Sequence, residues 1–349
     1  MIRWIKGRHK AQKSAKNRGR RPEKMTAADS KKTIEGVSTM KKLYHISDAV
    51  TAEAVASMKA AAICQTDYVT RTPFVISEKV TDKIRYCQQL SADEIAAAGS
   101  TGMREKDGIL INRHNLFFSN NYGGKMKGIA GLSGFAGNNA LCIKRAQDPN
   151  SICSKCFSFC GSKFSNLKAW TKNDVILSTV AFQPGDVILD PMLIPEMRYS
   201  THGDLINALH AYNLMIQAAD NPQTQFTLWT KNAEYYRGGL EMYNALCGPK
   251  PRNLRVIWSA SRLDVLPTAS GLKALKAAGF DAYFAVYSRR AIQDKAVNSF
   301  GGHFCKCGPY SCKKHCHFCY DYYNAERWSN YSGSAALIAE ILNGADHKE

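Results

Sequence analysis

The chain holds twelve cysteines, and eight of them fall in two short runs: Cys153, Cys156 and Cys160, then Cys305, Cys307, Cys312, Cys316 and Cys319. Thiolates two or three residues apart can converge on one soft ion, so the spacing points to a cysteine-ligated metal centre. Cys142, a little upstream, is a further candidate ligand. The competing chemistry is a disulfide framework, which belongs to small secreted chains that cannot build a core. Here 349 residues with 45% hydrophobic side chains suffice for a sizeable core. The N-terminal MIRWIKGRHK carries no apolar secretory segment, so the expected compartment is a reducing cytoplasm. Cys64, Cys87 and Cys247 stand alone in predicted helices and read as small core residues, not ligands.

The elements that must position these thiols are legible between residues 197 and 288. MRYSTHGDL (197–205), QFTLWTKN (225–232), LRVIWSASRLD (254–264) and DAYFAVYS (281–288) each read as a strand running into a turn. INALHAYNLMIQAAD, AEYYRGGLEMYNAL and GLKALKAAG between them have helical spacing of apolar residues, and a shorter strand candidate stands at 129–135. Repeated βα units predict an α/β fold with a parallel sheet, and only about four or five strands make it a partial or irregular β/α barrel.

In such folds ligands bind where the strands end at their carboxyl side. The predicted ends carry Thr201, His202, Gly203 and Asp204, then Thr230, Lys231 and Asn232, then Ser259, Ser261, Arg262 and Asp264. Taken singly, Asp204 or Asp264 serves equally well as a turn former or helix cap. Taken jointly, three successive strands aim polar ends at one rim, which makes Asp204, Lys231 and Asp264 the candidate catalytic residues. Both cysteine runs fall at that rim, Cys142 to Cys160 after the first strand candidate and Cys305 to Cys319 after the last, as two sites or one shared site.

Charge divides the chain further. The net charge is +18, and residues 1–45 hold fourteen Lys or Arg against three acids, a surplus of eleven. KGRHKAQKSAKNRGRRPEK has too few apolar residues to offset its ordering entropy, so 1–45 is expected to be a disordered basic arm. Such an arm is either a solvated tail or a nucleic-acid contact made through phosphates. Residues 46–107 are expected to form a helical N-terminal region, with Ser77 and Ser91 opening helices, 108–322 an α/β core with both cysteine clusters, and 323–349 a C-terminal helix and tail. No apolar run approaches a membrane span.

The order of Cys142 with CSKCFS, RYSTHGDL, FTLWTKN, LRVIWSASRLD and the terminal CKCGPYSCKKHCHFCY resembles the phage gene product 88 family over roughly residues 110–322. Departures are Thr-His-Gly-Asp where that family has Ser-Gly-Asp, and Phe157 where it has tyrosine. The motif order is also similar to that of the radical S-adenosylmethionine superfamily. That likeness implies a [4Fe–4S] cluster on Cys153, Cys156 and Cys160, a cofactor amino group near His202 and Gly203, and Ser259 and Ser261 facing its ribose or the substrate. The first run is C-x2-C-x3-C, the reverse of that superfamily's order, which occurs instead at Cys312, Cys316 and Cys319.

Zinc is the other metal the ligands fit. The terminal run, with His303, His315 and His317 interleaved, offers more than the four ligands of a closed tetrahedral site and would present Lys306, Lys313 and Lys314 to nucleic acid. The sequence thus predicts either an iron–sulfur enzyme of radical S-adenosylmethionine type, of phage or mobile-element kind and acting on nucleic acid or a nucleotide, or a non-enzymatic zinc-stabilised nucleic-acid-binding protein.

Overall fold

The computed structural model describes residues 78–98, 103–120, 126, 128–156, 158–159, 164–263, 265, 267–287, 303–305 and 335–341. In chain order the elements are α1 (Glu78–Gln89), α2 (Ala92–Ala96), β1 (Ile109–Asn112), β2 (Phe118–Asn120), β3 (Ala130–Leu132), α3 (Ala140–Ala146) and α4 (Phe164–Thr179). There follow β4 (Val187–Leu189), β5 (Glu196–Tyr199), α5 (Ala208–Asp220), β6 (Gln225–Thr230), α6 (Ala233–Leu246), β7 (Leu254–Leu263), α7 (Ala269–Ala277), β8 (Ala282–Tyr287), β9 (His303–Cys305) and β10 (Ala336–Ile341).

The main sheet runs β2-β3-β5-β6-β7-β8-β10-β9. Only β2 is antiparallel to its neighbour; the other seven strands are parallel. From β3 to β8 each new parallel strand adds on the same side of the last. Right-handed crossovers with that order place the connecting helices on one face. Tyr199, Phe226, Leu228 and Val256 accordingly pack with Leu214 and Met215 of α5 and Tyr236 of α6. Tyr283 and Ala285 pack with Leu272 of α7. The opposite face is apolar over β7, β8 and β10, where Ile257, Ala282, Phe284, Ala336 and Ile338 cluster against Trp229.

Two features depart from the sequence expectation. Among the described residues the parallel strands number seven instead of four or five, because β9 and β10 join beyond β8. The segment 323–349, expected as helix and tail, carries at Ala336–Ile341 a strand paired with β8 from Ala336↔Ala282 to Ile341↔Tyr287. A short apolar run fits helix or strand equally, and the open edge of β8 selects the strand. The basic arm 1–45 and residues 46–77 lie outside the described residues. A separate antiparallel pair, β1 with β4, lies apart from the main sheet.

α4 locks the loop that follows β3. Its buried Asn173 accepts from Phe117 N (2.8 Å) and donates to the carbonyls of Phe117 and Ser133 (2.8 Å each). Asp174, also buried, accepts from Phe135 N (2.8 Å) and Asn138 Nδ2 (2.9 Å). α1 and α2 hold α4 from behind: Lys172 Nζ donates to the carbonyls of Ala96 (3.2 Å) and Ala98 (3.0 Å). The fully buried Lys83 donates to the carbonyl of Phe159 (2.9 Å). The buried Lys83, Lys172, Asn173 and Asp174 thus each have partners that fix them, as burial requires.

Candidate functional site

Asp204 ties the carboxyl ends of β5 and β6 together and is reached from the loop after β3 by Asn139, while Lys231 links β6 to β7. After β5 the chain turns through Ser200 (φ 53°) and Gly203 (φ 77°). A side chain at Gly203 would come within 3.2 Å of the Gly134 backbone, so glycine permits both the positive φ and the close passage of the two loops. Gly134 N donates to His202 O at 3.2 Å, which pins them together. The Asp204 carboxylate then accepts three hydrogen bonds: Oδ1 from Leu205 N (2.8 Å) and Thr230 Oγ1 (2.6 Å), and Oδ2 from Lys231 N (2.9 Å). Asn139, the N-cap of α3, donates to the carbonyls of Asp204 (3.1 Å) and Leu205 (2.8 Å).

This arrangement brings the first cysteine run to the rim. Cys142 N donates to Asn139 Oδ1 (3.1 Å), so the cap that reaches Asp204 also orients the first turn of α3. Cys153 lies in the 3-10 turn Ile152–Lys155, whose cap Ser151 accepts from Cys153 N (3.1 Å) and donates to Ser261 O on β7 (2.9 Å). A β-bridge between Ser151 and Arg262 completes the attachment. Cys142, Cys153 and Cys156 are all half-buried free thiols. Part of Cys142 reaches the surface, but its thiol lies deep enough that burial raises it well above the usual cysteine range, and Asp204, Cys156 and Cys153 push the same way against Lys231. Burial also raises Cys156, with Cys153 adding to the effect and Lys231 opposing it. These mutual influences place three thiols, one carboxylate and one ammonium in a single electrostatic neighbourhood.

Lys231 Nζ donates to the buried Ser259 Oγ at 3.0 Å, and its carbonyl accepts from Arg145 at 2.8 Å. His202 stacks on Trp170 (centroids 4.4 Å apart) with Nδ1 3.3 Å from Ser158 Oγ. Burial, with Arg198 beside it, pushes the imidazole down to about 4, so it is neutral at pH 7. Ser261 enters through its carbonyl, the acceptor for Ser151. The structure therefore brings together Asp204, Lys231, His202, Gly203, Ser259, Ser261, Cys142, Cys153 and Cys156. Asp264, Cys160, Cys307, Cys312, Cys316 and Cys319 lie outside the described residues.

Cys305 ends β9, where it pairs with Glu340 at the far edge of the sheet. Six strand spacings separate β3 from β9, roughly 29 Å measured along the sheet. Among the described residues no group of three or more His, Cys, Asp or Glu is placed to hold a metal ion.

Cys87 is buried in the core as expected, and burial drives its thiol up to about 12. Cys247 differs from expectation: α6 stops at Leu246, and Cys247 is exposed as its C-cap. The sequence reading passed over Arg145, Arg198, Asn139, Ser151, Trp170 and Trp229. Asn139 and Ser151 carried a usable signal, being cap-type residues just ahead of cysteine-bearing turns; the aromatics and arginines carried none, since strand register aligns Arg198 with Trp229 and tertiary packing places Arg145 and Trp170. No helix of the described residues is long and apolar enough to cross a membrane. No family model, curated protein or solved structure matches this chain.

Proposed function

We propose that the chain is a cysteine-ligated metalloprotein, an iron–sulfur enzyme of radical S-adenosylmethionine type built on a partial parallel β/α barrel and acting on a nucleotide or nucleic acid. The observation that carries this reading is the gathering of Cys142, Cys153 and Cys156 beside Lys231 and Asp204 at the carboxyl rim of a parallel sheet. The donor type suits the group, and the set would be completed by Cys160, outside the described residues, because the three described thiols do not form a metal-holding group by themselves. Cys142 and Cys156 are raised by burial and by the thiol beside them, and a bound cation offsets such repulsion between ligands. The one-directional strand order from β3 to β8, with the face away from the helices also buried, supports curling toward a barrel.

Cys153, Cys156 and Cys160 would hold a [4Fe–4S] cluster, with Cys142 beside them, and the cluster when reduced supplies an electron to a bound S-adenosylmethionine. The chain's own residues do the positioning. Asp204 fixes the ends of β5 and β6 relative to each other. Gly203 lets the chain pass close to Gly134, and neutral His202, held on Trp170, is available to hydrogen-bond without adding charge. Lys231, steadied by its hydrogen bond to the buried Ser259, would supply a positive charge at the rim.

One observation favours the zinc-stabilised nucleic-acid-binding reading: Asp204 already accepts three protein hydrogen bonds, as a structural tie would. Iron, acid-labile sulfide and zinc per chain, measured on protein purified without oxygen and followed by S-adenosylmethionine cleavage after reduction, separate the two. Iron with sulfide and cleavage is the expected result. Zinc alone after attempted reconstitution selects the binding protein, and absence of either metal overturns both.

A further inference from the structure

Beneath the rim, the sheet face turned away from the helices carries a cluster of cations. Met197 and Tyr199 pack into the helical core, so Arg198 between them points to the opposite face. In register with it stand Thr227 on β6 and the buried Arg255 on β7. Two residues further along β6, roughly 7 Å, Trp229 lies under the Arg198 guanidinium, whose carbon is 4.5 Å from the ring centroid. Phe284 meets Trp229 edge-on, with centroids 4.6 Å apart, and holds the indole in place. The next residue of that face is Lys231, and Arg145 closes over it through its hydrogen bond to the Lys231 carbonyl.

Among the described residues Arg198 and Arg145 have few partners. Arg198 donates only a weak bond to Met126 Sδ (3.4 Å), and its buried Nε has none. One terminal nitrogen of Arg145 is buried without a partner, as are Trp229 Nε1 and Thr201 Oγ1. Among the described residues no carboxylate forms a salt bridge with Arg145, Arg198 or Lys231, and the nearby Asp204 accepts from Leu205 N, Thr230 Oγ1 and the Lys231 backbone N–H. Glu196, the carboxylate on the same face of β5, lies one row deeper and has its own interaction. Arg145, Arg198 and Lys231 are half-buried and outnumber the one described carboxylate beside them, Asp204, so their unused N–H donors are best satisfied by an added anion. A guanidinium held over an aromatic ring, as Arg198 is over Trp229, presents paired N–H donors in fixed directions, the geometry that selects a phosphate over a spherical ion.

We infer that this face binds a phosphate group, held by Arg198, Lys231 and Arg145, with Thr201 and Trp229 as neutral donors. The ligand class is a phosphorylated small molecule or nucleotide. The inference shares the rim and Lys231 with the proposed metal centre and would specify its substrate, but it rests chiefly on Arg198 and Arg145 and does not require the metal.

The test is titration of the full chain, in buffer free of phosphate and sulfate, with inorganic phosphate, pyrophosphate and a nucleoside monophosphate, read by calorimetry and tryptophan emission. Binding weakened at least tenfold by Arg198→Gln, less by Arg198→Lys, with Trp229→Phe losing most of the emission change, is the expected result. Unaltered circular dichroism and melting of Arg198→Lys show that the fold survives. Equal binding by wild type and Arg198→Gln would assign the heat to the basic arm and overturn the site; so would no binding at all. Acetate competing as well as phosphate overturns the phosphate assignment. A preference for the nucleoside monophosphate over inorganic phosphate identifies an ester as the ligand, and the reverse order identifies the free ion. Cys153→Ser protein that retains phosphate binding separates this site from the metal centre.

Discussion

Replacing Asp204 tests whether the rim is held together as the hydrogen bonds indicate. Asp204→Ala leaves Leu205 N, Lys231 N and the Thr230 hydroxyl without their acceptor, all in a region where Asp204 and Thr230 are buried. An orphaned buried donor costs about 1–3 kcal/mol, and with some relaxation the three together come to about 3–6 kcal/mol. Asp204→Asn is milder. Its one carbonyl oxygen can keep Leu205 N and Thr230 Oγ1, but its amide nitrogen then faces the Lys231 N–H, for a loss of about 1–3 kcal/mol. The assay is urea unfolding of the full chain at pH 7, with metal content measured on the same samples. A double-mutant cycle with Thr230→Val should return a coupling of about 1–2 kcal/mol, as directly bonded neighbours do. If Asp204→Ala lies within about 1 kcal/mol of wild type, the carboxylate does not hold the strand ends. A stable Asp204→Ala protein that binds metal but is inactive would instead return Asp204 to the catalytic role its position suggests.

Gly134→Ala should destabilise by about 2–4 kcal/mol in the same unfolding assay, because the new methyl would stand 2.6 Å from the Asp174 carboxyl carbon; combining it with Asp174→Ala should recover part of the loss. Burial raises Asp174 to about 7 from its usual 3.8. Between those values the folded chain holds a proton that the unfolded chain has released, so this group's contribution falls as pH rises through that window. Asp174→Asn should therefore gain on wild type between pH 5 and pH 8, and a constant difference in unfolding midpoints would refute it. His202 and His210, pushed by burial to about 4 and about 3, act in the opposite sense, and their contribution is lost as pH falls below the usual 6.5. Cys153→Ala and Cys156→Ala should each lose bound metal while Cys87→Ala keeps it, and equal metal content in all three would remove the cysteines from the site.

The sequence alone determined the βα alternation from 197 to 288 closely, with α6 at Ala233–Leu246 matching the predicted segment, because long periodic stretches bounded by caps leave little freedom. It also located the rim, since polar residues at the ends of apolar strands have nowhere else to go. α4 was not legible: Asn173 and Asp174 interrupt its apolar pattern, and they are buried only because the loop after β3 supplies matching donors and acceptors. The meeting of Cys142, Cys153 and Cys156 rests on contacts more than sixty residues apart in sequence, from Asn139 to Asp204 and from Ser151 to Ser261. The Arg198 row exists only through strand register, where shifting one strand by a single residue would turn the guanidinium to the helices. Local spacing fixes which chemistry a segment can carry; long-range pairing decides which groups meet to perform it.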